Sequence, residues 1–426
     1  MSMKLYPHQE QALNQTENFN RVAYYLDMGL GKTFVGSEKM MQFETPVNIV
    51  VCQKSLIPTW IEHFQTYYSD YDIWDLTSKN GMKGFMSSNS MVQNGQFKMI
   101  GVINYDLLFR RSYFKELENF TLMLDESSMI QNEAAKRSKF ILQMKPANVI
   151  LLSGTPTSGK YENLWSQIHL LGWKISKDLY WKQYIETEWV EEDGFFRKDV
   201  VGYKNVDRLK QKLREHGAIF MKSEEVVDLP EQIDNKVMIG TTKEYRKFMK
   251  SRIITVQGKE MIGDSALTKR LYARMLCGHY NQNKLEAFRD LVDSTDDRLI
   301  VFYNFNEELA ELVNLVKDKP VSIINGSIKD LSAYEEHENS ITFVQYQAGS
   351  SGLNLQKANK MIYFTLPQSC ENYMQSKKRI HRIGQNKRCF YYYLLVSGSV
   401  EEDILKALER GVDYTDDLFN QYEKQN

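Results

Sequence analysis

Short, nearly continuous apolar runs punctuate the chain, separated by polar, turn-rich or helix-spaced stretches. In the first 155 residues the runs are RVAYYL from Arg21, VNIVVCQ from Val47, FKMIGVI from Phe97, FTLMLDE from Phe120 and NVILLSGT from Asn148. Apolar residues that follow one another, instead of alternating with polar ones, predict strands covered on both faces of a parallel sheet. From Tyr161 to about Gly217 the pattern turns polar and helix-spaced and carries Trp165, Trp173, Trp181 and Trp189, which predicts an added helical subdomain (about 160–217) with the tryptophans packed inside. LPEQ, from Leu229 to Gln232, reads as a connector, and the segment from about 240 to 295 reads as helical. Strand-like runs then resume as LIVFYNF from Leu299, VSIING from Val321, ITFVQYQ from Ile341, KMIYFTL from Lys360 and CFYYYLLV from Cys389. The fold class is therefore α/β: two parallel-sheet halves in tandem, 1–230 and 231–426, with short helical insertions.

The length of 426 residues agrees, since two domains of roughly 200 residues are the natural division of such a chain. A hydrophobic content of 42% with 26% charged residues describes a soluble globular protein. No apolar run approaches the roughly 20 residues that span a bilayer, and MSMKLYPHQEQ lacks the apolar core of a secretory signal. Cys52, Cys277, Cys370 and Cys389 lie far apart with no C-x-x-C spacing, so neither a disulfide framework nor a zinc site is suggested, and a reducing cytoplasm is expected. The net charge of −1 hides an uneven distribution: Gln375 to Arg388 holds six Lys or Arg and no acid, whereas Val400 to Asn426 holds eight acids and three bases. The basic stretch suits either a phosphate-bearing partner or an ordinary solvated surface.

Candidate chemistry starts at YYLDMGLGKTF, from Tyr24 to Phe34. It has the G-K-[ST] end of a phosphate-binding loop, but Leu26 stands where that pattern places its first glycine. An apolar strand precedes it and a helical stretch follows. Gly29 and Gly31 allow the backbone to turn its N–H groups toward an anion at a helix N-terminus. Lys32 is then placed to reach the β- and γ-phosphates, and the Thr33 hydroxyl to hold Mg²⁺. A second element supports this reading. TLMLDESS puts Asp125 and Glu126 at the end of an apolar strand, where a parallel sheet opens into its ligand crevice. Asp125 is the candidate metal ligand; Glu126 is the candidate base that orients and deprotonates water.

The ordered set of motifs resembles the Swi/Snf-like DNA translocases of helicase superfamily two. LYPHQEQAL resembles that family's Gln motif, and DMGLGKT is similar to its DEMGLGKT, in which an acidic residue, not glycine, occupies the place of Leu26. CQKSLIPTW resembles motif Ia, INYD motif Ib, DESS motif II, LLSGTP motif III and NLWSQIHLL the helix after it; AIFMKSEEVVDLP resembles the passage out of the first lobe. VFYNF resembles motif IV, with ING after it. QAGSSGLNL is close to AGGxGLNL of motif V, and QSKKRIHRIGQ to QAxxRxHRIGQ of motif VI. The resemblance covers essentially the whole chain. Three departures stand out. Motif II ends in Ser127-Ser128 where DEAH is usual, Gln345 and Gln347 replace the customary Ser/Thr before motif V, and the segments typical of histone-directed remodellers do not occur, so a minimal motor of the phage or bacterial type is expected.

The resemblance implies two RecA-like lobes with ATP and Mg²⁺ between them. Gln9 would read the adenine; Met28, Gly29, Leu30, Gly31, Lys32, Thr33 and Gly352 would contact the nucleotide. Arg379 and Arg382 would act as arginine fingers. Candidate contacts to the phosphate backbone of DNA are Lys54 and Ser55, Asn104 and Tyr105, Lys160, Asn304, Gly326, and Gln347, Ala348, Gly349 and Ser350. A monomeric ATPase that translocates on double-stranded DNA with little strand separation is expected, since no aromatic hairpin or other wedge is legible. A strand-separating DNA or RNA helicase and a nucleotide-switch binding module are the alternatives, although SGTP with HRIGQ points away from DEAD-box RNA helicases.

Overall fold

All ten apolar runs become strands of two sheets in a computed structural model, which describes residues 4–92, 98–192, 195–346 and 353–419. Two compact units result, Met1–Val226 with Asp413–Asn426, and Val227–Val412. The tail from Asp413 thus groups with the first unit instead of the second, where Tyr161 Oη donates to the Tyr414 carbonyl at 2.7 Å.

In the first unit the strands are β1 (Arg21–Leu26), β2 (Val47–Cys52), β3 (Asp72–Asp75), β4 (Met99–Asn104), β5 (Phe120–Asp125), β6 (Asn148–Leu152), β7 (Ile185–Glu192), β8 (Phe195–Tyr203) and β9 (Ala218–Met221). Seven of them form one sheet in the order β3-β4-β2-β5-β6-β1-β9, every pair parallel. Because all run one way, the loops after β1, β5 and β6 open on one edge, with β6 between the other two. Helix α1 (Pro7–Gln15) precedes β1, α2 (Lys32–Gln42) follows it, and α3 (Ile57–Tyr67) follows β2. Helix α2 lies so close to the sheet that a Cβ at Gly36 would come within 2.9 Å of Leu152 Cδ1 and Met123 Sδ. That close seat fixes where the helix N-terminus points.

The stretch expected to be wholly helical is not. Helices at Trp165–Leu170, Lys177–Tyr184 and Val206–Glu215 flank an antiparallel hairpin, β7–β8, with a bulge between Glu186 and Thr187. IETEWVEE alternates acids with apolar or β-branched residues, a period-2 strand signal that the surrounding helix-spaced tryptophans mask. Trp165, Trp173 and Trp181 pack against the core as expected, but Trp189 is 71% exposed on the hairpin, and so is Phe196 at 69%. An aromatic-bearing hairpin is therefore present, contrary to the sequence reading.

The second unit holds β10 (Gln232–Ile239), β11 (Ile253–Val256), β12 (Lys259–Ile262), β13 (Leu299–Tyr303), β14 (Val321–Ile324), β15 (Lys329–Asp330), β16 (Ile341–Gln345), β17 (Lys360–Tyr363) and β18 (Cys389–Val396). Its sheet runs β10-β18-β17-β13-β16-β14-β15, parallel except for the short β14–β15 pair. One expectation fails here. The connector continues into the edge strand β10, whose QIDNKVMI alternates because one face is solvated, and the segment expected to be helical contains the β11–β12 hairpin. A fully buried ion pair, Lys284 Nζ to Glu401 Oε1 at 2.6 Å, ties the Gln282–Asp293 helix to the start of the last helix, and Glu401 Oε2 also accepts from Val396 N at 3.0 Å. Both charges are thus paired and hydrogen-bonded, as burial requires.

Candidate active site

Leu26 is the last residue of β1, fully buried and paired with Met221 of β9. The position that a P-loop normally gives to glycine is here still inside the sheet, so no unusual backbone angle is demanded of it. The turn comes later. Gly29 and Gly31 have φ of 88° and 75°, in the left-handed region, and Gly31 is the N-cap of α2. A side chain at Gly31 would also collide with Gln9, whose Nε2 lies 2.2 Å from the site a Cβ would take. Gln9 is buried on α1; its Nε2 donates to Leu30 O at 3.1 Å and its Oε1 accepts from Tyr6 N at 2.9 Å. His8 Nε2 lies 3.1 Å from the same Leu30 oxygen. Gln9 therefore fastens the loop to α1. Asp27, in the turn, accepts from Ser223 N and Oγ at 3.2 and 3.0 Å. Lys32 Nζ folds back to Leu26 O at 3.0 Å, beside Gly154 of the loop after β6. Met28, Leu30 and Thr33 belong to the same turn and first helical residues.

The acid pair faces this loop. Asp125 ends β5, and Glu126 is held at φ 52°, ψ 62°, an uncommon conformation for a residue with a Cβ. Four groups hold the pair. Tyr105 Oη donates to the Asp125 carbonyl at 2.8 Å, and Trp60 Nε1 donates to Asp125 Oδ2 at 2.9 Å. Ser153 Oγ donates to Glu126 Oε2 at 3.3 Å, and Lys32 is close enough to stabilise the Asp125 charge. Burial, then the neighbouring Glu126 charge, push the Asp125 carboxyl up to about 6, against the pull of Trp60 and Lys32. A carboxylate so penalised, at a sheet edge and beside a phosphate-binding turn, is a site that a cation would relieve. Among the described residues no three His, Cys, Asp or Glu cluster to form a protein-only metal centre. This donor set suits Mg²⁺, which keeps waters and leans on one or two protein oxygens together with phosphates.

In the second unit, Arg379 Nη1 and Arg382 Nη1 both reach Leu353 O, at 3.3 and 3.5 Å, so the two arginines are gathered at one place beside the end of motif V. Burial lowers the pKa of the Arg382 guanidinium. Gln385 of the same motif donates to the carbonyls of Gln356, Ala358 and Ile380, fixing the turn. The surrounding basic stretch is less bare than its sequence suggests, because Lys377 pairs with Asp234 at 2.9 Å and Arg388 with Glu231 at 3.4 Å. Gly352 and the motif V residues Gln347, Ala348, Gly349 and Ser350 lie outside the described residues.

The remaining candidate DNA contacts divide. Lys54 and Ser55 are exposed just past β2, Lys160 is exposed just before Tyr161, and Gly326 stands in open space after β14. Asn104, Tyr105 and Asn304 are less open. The Asn104 and Tyr105 side chains are buried, and the Tyr105 hydroxyl donates to the Asp125 carbonyl. Asn304 Nδ2 donates to Thr365 O, Thr365 Oγ1 and Leu366 O at 3.3, 2.9 and 3.0 Å. The Tyr105 hydroxyl and the Asn304 amide are thus engaged within the protein. Conversely, Trp60 touches the candidate metal ligand but carries no sequence signal, since the contact spans 65 residues.

Fold and loops together define two tandem α/β lobes, the first with a glycine turn and a helix N-terminus beside an acid pair. Residues 25–285 match the SNF2-related domain and residues 283–384 the helicase conserved C-terminal domain. The first match covers more than half of the chain, and the chain belongs to the SNF2-related family; its two units are RecA-like lobes. Relatives include the human chromodomain-helicase-DNA-binding protein 1, 25% identical over 90% of this chain and 25% of that protein. Another is the putative ATP-dependent helicase/translocase YwqA of Bacillus subtilis, 23% identical over 90% of this chain and 45% of that protein. The chain thus spans less than half the length of these curated relatives. Among solved structures, the Sulfolobus solfataricus SWI2/SNF2 ATPase core in complex with dsDNA is similar at 18% identity and a TM-score of 0.44, over 98% of this chain and 95% of that one.

The Asp125 environment yields a stability test. Its folded pKa of about 6 lies above the ordinary 3.8, so the folded state holds the proton more tightly than the unfolded state does. The ionised form is therefore a cost that is fully present above about pH 6 and absent below about pH 4. Because Asp125 is only partly shielded from water, the cost is at most about 2 kcal/mol. Asp125→Asn should raise the Tm of the nucleotide-free protein at pH 8 and leave it unchanged at pH 4, as read by thermal unfolding at both values.

Proposed function

We propose that this chain is an ATP-driven motor that moves along double-stranded DNA by holding the phosphate backbone. The observation that carries the proposal is the convergence of Lys32, Asp125, Glu126 and Ser153 on one sheet edge in a member of the SNF2-related family. Two relatives, the chromodomain-helicase-DNA-binding protein 1 and the putative ATP-dependent helicase/translocase YwqA, point the same way.

In this reading the N–H groups of the Gly29–Gly31 turn bind the phosphates, and Lys32 exchanges the Leu26 carbonyl for a phosphate oxygen. Thr33 and Asp125 would hold Mg²⁺, which when bound offsets charge on the β- and γ-phosphates. Glu126, steadied by Ser153, orients the attacking water and takes its proton. Arg379 and Arg382, contributed by the second lobe, counter the charge that develops on the γ-phosphate. Exposed Lys54, Ser55, Lys160 and Gly326 are the described groups suited to following a backbone without reading sequence. With no disulfide among the described cysteines, such a motor suits a reducing compartment such as the cytoplasm.

The roles of Lys32 and Glu126 separate kinetically. Lys32→Ala should abolish turnover by weakening ATP binding, because it removes the cation that meets the phosphates. Glu126→Gln should abolish turnover while ATP still binds, because only water activation is lost. Steady-state ATPase assays beside equilibrium binding of a fluorescent nucleotide distinguish them; near-normal turnover in either variant contradicts the assignment.

A second reading, strand separation, draws support from the β7–β8 hairpin. Trp189 pairs with Lys198 and Glu191 with Phe196, so the two exposed aromatics are diagonal neighbours on one face. Parting a duplex costs roughly 1.4 kcal/mol per base-pair step and needs a device that keeps the strands apart. The motor reading predicts ATP-dependent displacement of a triplex-forming third strand, little release of single strand from a fork, and no effect of Trp189→Ala/Phe196→Ala on the former. Efficient fork unwinding that this double substitution abolishes would establish the second reading instead.

A further inference from the structure

Gln167 lies in the short helix Trp165–Leu170, fully buried among Leu164, Ile168, Leu170 and the sheet residues of the first lobe's core. A methionine would fill similar space without taking an amide out of water. The amide is instead used on three sides. Its Oε1 accepts from Ser127 Oγ at 2.8 Å and from Tyr25 Oη at 3.0 Å, and its Nε2 donates to Pro156 O at 2.7 Å. Ser127 and Tyr25 are themselves fully buried.

Each partner belongs to a different part of the site. Tyr25 is on β1, two residues before Asp27 and the phosphate-binding turn. Ser127 directly follows Glu126, the residue held in the left-handed region. Pro156 is in the turn that begins with Ser153, whose hydroxyl bonds Glu126 and also accepts from Thr155 N at 3.1 Å. Glu126 is thus reached from both directions, through its chain neighbour Ser127 and through the turn that bonds its carboxylate, and both routes converge on one side chain. With Ser127 in place of the alanine of DEAH, the chain has a hydroxyl that points at that amide.

We infer that Gln167 is a positioning residue that locks the acid-pair turn to the turn after β6, holding Glu126 where it can activate water. This rests on the ATPase reading above. Gln167→Met keeps length and bulk but removes all three bonds. Misplacing a catalytic group by a fraction of an ångström to an ångström costs about ten- to a hundredfold in rate. Gln167→Met should therefore lower kcat at saturating duplex DNA by that factor per ADP-binding site, with KM for ATP within about threefold, since none of the three bonds reaches Lys32 or the Gly29–Gly31 turn itself. Gln167→Glu supplies the control. At about pH 6.5 a carboxyl buried there stays protonated, can accept from Ser127 and Tyr25, and can donate to the Pro156 carbonyl. It should recover at least about half of the wild-type kcat under those conditions. The assay counts folded sites by stoichiometric binding of a fluorescent ADP, so that loss of folded protein is not read as loss of rate. Turnover of Gln167→Met within about twofold of wild type per site, or no recovery in Gln167→Glu, overturns the inference. A wild-type protein that binds ADP but does not hydrolyse ATP overturns the parent reading first.

Discussion

Two carboxylates must stand side by side at the end of a buried strand, and much of the first lobe is arranged to make that tolerable. Asp125 and Glu126 repel one another where water is scarce, and the raised Asp125 pKa is the mark of that conflict. An indole, a serine hydroxyl and the Lys32 ammonium answer it, from α3, the turn after β6 and α2, while the Tyr105 phenol holds the Asp125 main-chain carbonyl from just after β4. In the proposed ATPase that electrostatic cost would be relieved by cationic charge brought in beside the phosphates. Stability is given up where chemistry needs charge.

Several motif residues hold other groups in place. Gln9 fastens the phosphate-binding turn, Tyr105 the acid pair, and Asn304 the turn after β13, where Glu308 also accepts from Asn304 N and Phe305 N. Glu308 is itself buried, and burial pushes its carboxyl up to about 6. In the proposed motor, loops that follow a backbone would need fixed spacing more than many direct contacts, and these buried polar groups would supply it.

The parallel cores were legible because strands buried on both faces leave unbroken apolar runs, as in VNIVVC of β2 and LIVFY of β13. Edge and solvated strands were not. DIWD of β3, AIFM of β9 and QIDNKVMI of β10 are short or alternate with polar residues, and the β7–β8 hairpin hid behind tryptophans with helical spacing. The proposed chemistry-bearing groups Lys32, Asp125, Glu126, Arg379 and Arg382 stand in local motifs. Their supports do not, because Trp60 reaches 65 residues to Asp125, and Gln167 reaches 40 to Ser127 and 142 to Tyr25. Nothing local in a sequence marks a hydrogen bond across that distance. Burial is likewise invisible there, as at Asn104 and Tyr105.

The central claim is that ATP hydrolysis answers to a duplex DNA backbone. The most direct test is the steady-state ATPase rate measured side by side with duplex DNA, single-stranded DNA and RNA at equal nucleotide concentration and several salt concentrations. The account predicts the greatest stimulation by duplex DNA, indifferent to its sequence and falling steeply as salt rises, because phosphate contacts release counterions. Stimulation by RNA or single strands in preference to duplex, or a rate indifferent to all three, would contradict it.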